Sequence, residues 1–184
     1  MKIFFKPEIF EKFHNGFERK TAPDRIIVHG TGGGQSAQAL FNWILGPEFE
    51  RAQAYKNGEG FPFLIDRNGD IYQLQDPATT WAYHSSTGRM DQKTIGIETV
   101  NPDPGNNAEY TDSQIESLAG LILMLMDQFG IKHITGHGQY KKEITGHGKQ
   151  CPGPLFPWEQ IEDAITDAGY RCELKSESIS IIGA

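Results

Sequence analysis

Three of the six histidines stand where an apolar run gives way to glycine: His29 in Val28-His29-Gly30, His137 in Gly136-His137-Gly138 and His147 in Gly146-His147-Gly148. A short way on, Cys151 sits in a stiff turn, Lys149-Gln150-Cys151-Pro152-Gly153. Two imidazoles and a thiolate are enough to hold one zinc ion with a fourth position left for water. The chain has no local His-Glu-x-x-His signature, so such a set has to be assembled by the fold. His137 and His147 compete for one place in it, because Ile-Thr-Gly-His-Gly occurs twice, at 134–138 and 144–148. His137 is the better candidate, since it directly follows a predicted strand. His147 lies in a stretch of Gly and Lys that reads as loop. His14 and His133 read as structural or surface residues, and Cys172 as a bystander.

The elements that must position these groups can be read from the pattern. Arg25-Ile26-Ile27-Val28-His29 is a β-branched run ending in glycines, a buried strand entering a loop. Ser36 is placed to cap a helix through Leu45, stopped by Gly46-Pro47. Asn68-Gly69 between two apolar runs predicts a hairpin with a type I′ turn, which needs positive φ at both residues. Thr94 to Val100 predicts another strand, whose alternation puts Gly96 and Glu98 on one face. The longest helix is predicted over 112–129: Thr111 caps it, Gln114 closes a capping box and Gly130 fits C′. Ile115, Leu118, Ile122, Leu125, Met126 and Phe129 form its core-facing stripe. Ile131 to Thr135 predicts a strand and Trp158 to Ala168 a last helix. Strands alternating with helices mean an α/β fold with a mixed central sheet flanked by helices.

Size and charge bound the reading further. A chain of 184 residues is one domain and can stabilise a core without staples. Two cysteines make no disulfide framework. A net charge of −7 argues against nucleic acid as the main partner. The longest apolar run, Leu121 to Met126, falls far short of the roughly 20 residues of a membrane span. Met1 to Phe5 begins like a signal peptide, but Lys6-Pro7-Glu8 ends the apolar run at once. The expectation is a cytoplasmic protein, or one released by another route. The expected organisation is an N-terminal extension (1–24), with Phe4, Phe5, Phe10, Phe13 and Phe17 packing on the domain or covering the cleft, a catalytic domain (25–170) and a C-terminal tail (171–184).

Taken in order, His29 after a strand, Thr94-Ile95-Gly96-Ile97-Glu98, Gly136-His137 and Lys149-x-Cys151-Pro152-Gly153 resemble a known set. It is that of the zinc-dependent N-acetylmuramoyl-L-alanine amidases, a family shared by phage amidase endolysins, muropeptide-recycling amidases and peptidoglycan recognition proteins. The resemblance runs from about Arg25 to Ile165. It implies a peptidoglycan-recognition-protein/amidase-like fold and one zinc ion held by His29, His137 and Cys151, the last a position where recycling enzymes have Asp. It further implies that Glu98 takes a proton from the attacking water, that Lys149 stabilises the oxyanion, and that His84 contacts substrate in the cleft. Two departures stand out. Thirteen residues separate His137 from Cys151, more than is usual in the family, and Phe61-Pro62-Phe63 stands where phage members often carry an assisting Tyr.

The function so implied is hydrolysis of the bond between the lactyl group of N-acetylmuramic acid and L-alanine of the stem peptide. A phage or prophage-type endolysin passing through a holin is the expected role. A cytosolic enzyme recycling soluble muropeptides and a non-catalytic peptidoglycan-binding module are the alternatives. A monomer without nucleic-acid partner or membrane insertion is expected in each case.

Overall fold

The computed structural model describes residues 2–6, 8–9, 16–47 and 60–183. Phe10, Phe13 and His14 lie outside the described residues. Four parallel strands form the middle of an eight-stranded sheet. They are β3 (Arg25–Gly30), β4 (Phe63–Ile65), β7 (Thr94–Thr99) and β8 (His133–Gly136), in the order β4-β7-β3-β8. On one side β5 (Ile71–Gln73) runs antiparallel to β4, and β1 (Ile3–Phe5) pairs parallel with β5 at the edge. On the other, β9 (Arg171–Lys175) and β10 (Ser178–Gly183) form a hairpin whose second strand lies antiparallel to β8. A separate ribbon joins β2 (Phe17–Glu18) to β6 (Thr80–Trp81).

Strand alternation sorts the side chains onto two faces. Ile26, Val28, Phe63, Ile65, Ile95 and Ile97 point into the larger core, against α2 (Asp112–Phe129) and α4 (Trp158–Asp167). Leu64 points the other way and packs with Phe41 and Ile44 of α1 (Ala37–Leu45). By the same alternation His29, Gly96 and Glu98 fall on the side away from the larger core. The mixed sheet flanked by helices is the fold that the sequence pattern predicted.

The ends of α2 follow its sequence. Thr111 Oγ1 accepts from the Gln114 N–H and the Gln114 side chain accepts from the Thr111 N–H, while Gly130 closes the helix at φ 68°. Other segments differ from expectation. The β4–β5 turn has positive φ at Gly69 only, not at Asn68. The Gly69 N–H donates to the Asp66 carbonyl, so a turn of the common hand is followed by one left-handed residue. Residues 137–145, to which the sequence pattern assigned no element, form a helix, α3 (His137–Thr145), and the stretch around His147 lies beyond its end. Segments 171–183 and 3–5, set apart as tail and extension, are strands of the main sheet. The Ser178-Ile179-Ser180 alternation buries Ile179 in the larger core, and this docks the hairpin.

Arg19, just after β2, ties the ribbon to the sheet. Its guanidinium donates to the carbonyls of Thr80, Gln92 and Thr94. Phe17 stacks on Trp81 with ring centres 4.7 Å apart. No helix among the described residues is long and apolar enough to cross a membrane.

Candidate active site

Register brings the chemistry together. His29 is paired with Glu98 across β3 and β7, and Val28 with Gly136 across β3 and β8, which sets His137 in the next row. All three therefore lie at the carboxyl ends of neighbouring parallel strands, where open α/β sheets place their ligands. Cys151 is delivered by the chain leaving α3. The Gly138 N–H donates to the Cys151 carbonyl at 2.8 Å. A Cβ at position 138 would stand 1.8 Å from the Lys149 carbonyl oxygen, so only glycine lets this returning segment lie against the start of α3. Tyr110 OH donates to the Pro152 carbonyl at 2.9 Å and anchors the turn beyond.

The ligand atoms of His29, His137 and Cys151 lie within 4.8 Å of one another, and each residue is at most 3% exposed. His147, the other histidine of the repeated motif, is exposed and outside this group. Glu98 flanks the group, with Oε1 3.7 Å from His29 Nδ1 and a side chain 17% exposed. Lys149 lies at the solvent-exposed lip, close enough for its charge to act on His29, Glu98, His137 and Cys151. His84 is buried behind His29, its Nδ1 3.0 Å from His29 Nε2 and its Nε2 2.8 Å from Thr94 Oγ1. Sequence reasoning passed over Ser85, Asp91 and Thr94. Ser85 accepts from His137, while Asp91 and Thr94 bond to the 84–85 segment. No motif marks them, since much of what they do is main-chain hydrogen bonding. An apolar hollow of about 190 Å³ opens beside the glycine loop after His29, with Leu40 and Trp43 in its wall.

Burial dominates the ionisation of the cluster. It pushes His29 well below its usual value, helped by His137, His84 and Lys149, and takes His137 down to about 3 with help from Lys149. It lifts the Cys151 thiol to about 12, with Glu98 adding to the rise. It raises Glu98 to about 7 against the opposing pull of Lys149. Two atoms of this cluster, His137 Nδ1 and Glu98 Oε2, are buried with no hydrogen-bond partner among the described residues. Among the described residues Cys151 Sγ finds only the Gly30 carbonyl, at 3.9 Å. An unpaired buried nitrogen is costly, and a neutral imidazole with a free lone pair is what a metal ligand requires. The residues fit a thiophilic divalent cation such as zinc, which would also deprotonate the thiol.

Parallel strands that deliver two imidazoles, a thiol and a buried carboxyl to one end of the sheet define an α/β domain with a candidate metal centre. The sequence profile of the N-acetylmuramoyl-L-alanine amidase family matches residues 19–154, and the chain belongs to that family. Among solved structures it is similar to the N-acetylmuramoyl-L-alanine amidase LysC from Clostridium intestinale URNW. There the TM-score is 0.63 at 22% identity, over 90% of this chain and 98% of the other. The endolysin of the Thermus scotoductus bacteriophage Ph2119 gives 0.61 at 17% identity, over 89% and 98%. Drosophila peptidoglycan recognition protein SD gives 0.54 at 18% identity, over 83% and 89%. At these identities the likeness carries the fold. No curated protein sequence matches the chain significantly.

Proposed function

We propose that the protein is a zinc-dependent N-acetylmuramoyl-L-alanine amidase of endolysin type. In this reading it cuts the amide bond between the lactyl group of N-acetylmuramic acid and L-alanine of the peptidoglycan stem. The observation that carries the proposal is the buried His29–His137–Cys151 group with the Glu98 carboxyl beside it. When bound, zinc supplies Lewis acidity that polarises the scissile carbonyl and acidifies an attacking water. His29, His137 and Cys151 hold it. Glu98 takes the proton from the attacking water and returns it to the leaving amine, the role of a general base that becomes a general acid. Its 17% exposure leaves it open to a substrate in the cleft. The Lys149 ammonium adds fixed positive charge where the tetrahedral oxygen turns negative. Phe61 and Phe63 are buried and carry no proton, so Glu98 performs that step alone.

The cysteine at the third ligand position supports action on intact wall. Glu98, shared by resemblance with recycling amidases, supports a second reading in which soluble muropeptides are the substrate. Mass spectrometry of Gram-negative peptidoglycan after incubation tests both. Free stem peptides beginning with L-Ala are expected, absent after chelation and restored by zinc. Intact wall untouched while soluble muropeptides are cut would move the role to recycling, and inertness on both would reject the amidase reading. Glu98→Gln is expected to retain zinc and lose about 10²- to 10⁴-fold in rate.

A further inference from the structure

We propose that the dipeptide His84–Ser85, pinned by the Asp91 carboxylate, is the outer shell of the metal centre and holds both ligand imidazoles in the tautomer that leaves Nδ1 bare for the metal. The inference rests on the zinc reading above. It gives His84 a positioning role in place of the substrate contact that its motif suggested.

Two hydrogen-bond chains carry the argument, and each ends on a carbonyl, which can only accept. His137 Nε2 lies 2.9 Å from the Ser85 carbonyl oxygen. That nitrogen must therefore bear the proton, which leaves Nδ1 as the bare lone pair, the atom found buried and unpartnered. The second chain starts at the Asp91 carbonyl, which accepts from Thr94 Oγ1 at 3.1 Å. With its own proton so used, Thr94 Oγ1 accepts from His84 Nε2–H at 2.8 Å. His84 Nδ1 is then a lone pair, and it accepts from His29 Nε2–H at 3.0 Å. His29 Nδ1 is left bare. Two ligands, one near the end of β3 and one opening α3, thus reach the same tautomer through adjacent residues of one segment.

That segment is held firmly. Asp91 is fully buried, and its carboxylate accepts from the His84 N–H at 3.0 Å, the Ser85 N–H at 3.1 Å, Thr87 Oγ1 at 3.0 Å and Ser85 Oγ. A buried carboxylate is tolerable only when its lone pairs are so engaged. The ring of His84 has a seat made for it on the sheet. A Cβ at Gly96 would come within 2.9 Å of His84 Cγ and Nδ1, so any other residue at 96 displaces the imidazole from His29. Outer-shell partners of this kind fix the tautomer and orientation of a metal ligand, and losing one typically costs 10- to 100-fold in metal affinity.

The test is zinc affinity, read by competition with a chromophoric chelator, on the full chain and two variants. His84→Leu removes the acceptor and is expected to weaken zinc binding by about 10- to 100-fold. His84→Asn puts an amide oxygen where Nδ1 stood and is expected to recover most of that loss. Unchanged affinity in His84→Leu, or equal loss in both variants, overturns the proposal while leaving the amidase reading intact. A parent protein that takes up no zinc overturns both. Should His84→Leu fail to fold, ¹⁵N-detected histidine spectra of the unaltered metal-free protein decide. Nε2–H tautomers at His29, His84 and His137 are expected, and Nδ1–H at either ligand overturns the wiring.

Discussion

The five residues Ile-Thr-Gly-His-Gly fold into opposite things at their two positions. In the copy at 134–138 the isoleucine is fully buried within β8, and the histidine opens α3 with 3% exposure. In the copy at 144–148 the isoleucine is 41% exposed, Thr145 ends the same helix, and Gly146 caps it at φ 77°. One α-helix separates them. A motif of this length specifies nothing by itself. The first copy is drawn into the core because β8 lies between β3 and β10, whereas the second has only the helix end to hold it.

That contrast can be broken most sharply at the histidines. His137→Ala is expected to abolish zinc uptake and lower amide hydrolysis by on the order of 10³-fold or more. His147→Ala should leave both within about twofold. Equal effects in zinc analysis and in turnover would erase the distinction between the copies. The glycines and isoleucines come next, read by denaturant unfolding of the metal-free protein. Gly138→Ala drives a methyl into the Lys149 carbonyl and should cost about 3 kcal/mol or more. At Gly148 the nearest atom to a new Cβ is 3.3 Å away, and the cost should stay below about 1 kcal/mol. Ile134→Ala should cost about 2–5 kcal/mol and Ile144→Ala under about 1 kcal/mol.

Acid supplies the smallest effect. His29 and His137 titrate lower in the folded protein than in the unfolded chain, chiefly through burial. Below about pH 6.5 the unfolded chain therefore binds protons that the folded one does not. Their stabilisation is complete above that pH and is lost as pH falls towards the folded values. Glu98 works the other way, because burial lifts it to about 7 and the folded state gains a proton first. With two groups against one, the metal-free protein should lose on the order of 1 kcal/mol per pH unit between pH 6.5 and 5, the slope steepening towards the lower end. Glu98→Gln should steepen that slope. A flat profile would mean that the two imidazoles are not held neutral.

The sequence carries much of this architecture openly, and the rest is silent for physical reasons. The β3 and β7 alternation, the capped ends of α2 and the candidate ligands His29, His137 and Cys151 are side-chain patterns, and patterns are readable. Helix α3 is not, because Gln139, Lys141, Lys142 and Glu143 offer no apolar stripe. Tyr140 is its one large buried apolar side chain, and glycines bracket it on both sides. The hairpin at 171–183 is short and half-exposed, so its alternation looks like a tail until β8 is there to receive it. The Asp91 knot is hidden more deeply. Two of its four donors are the N–H groups of His84 and Ser85, and a main-chain group has no letter in the sequence.

The Arg19 guanidinium, with its three carbonyl acceptors, decides where this domain can be cut and rejoined. A chimera spliced at Asp24, ahead of the first parallel strand, would inherit His29, Glu98, His137, Lys149 and Cys151 unchanged. It would also leave Thr80, Gln92 and Thr94 without their donor, and these residues bracket the segment that carries His84, Ser85 and Asp91. A unit that keeps these bonds starts upstream of Phe17, and a graft cut at Asp24 keeps the candidate ligands and gives up the clasp on the segment packed behind them.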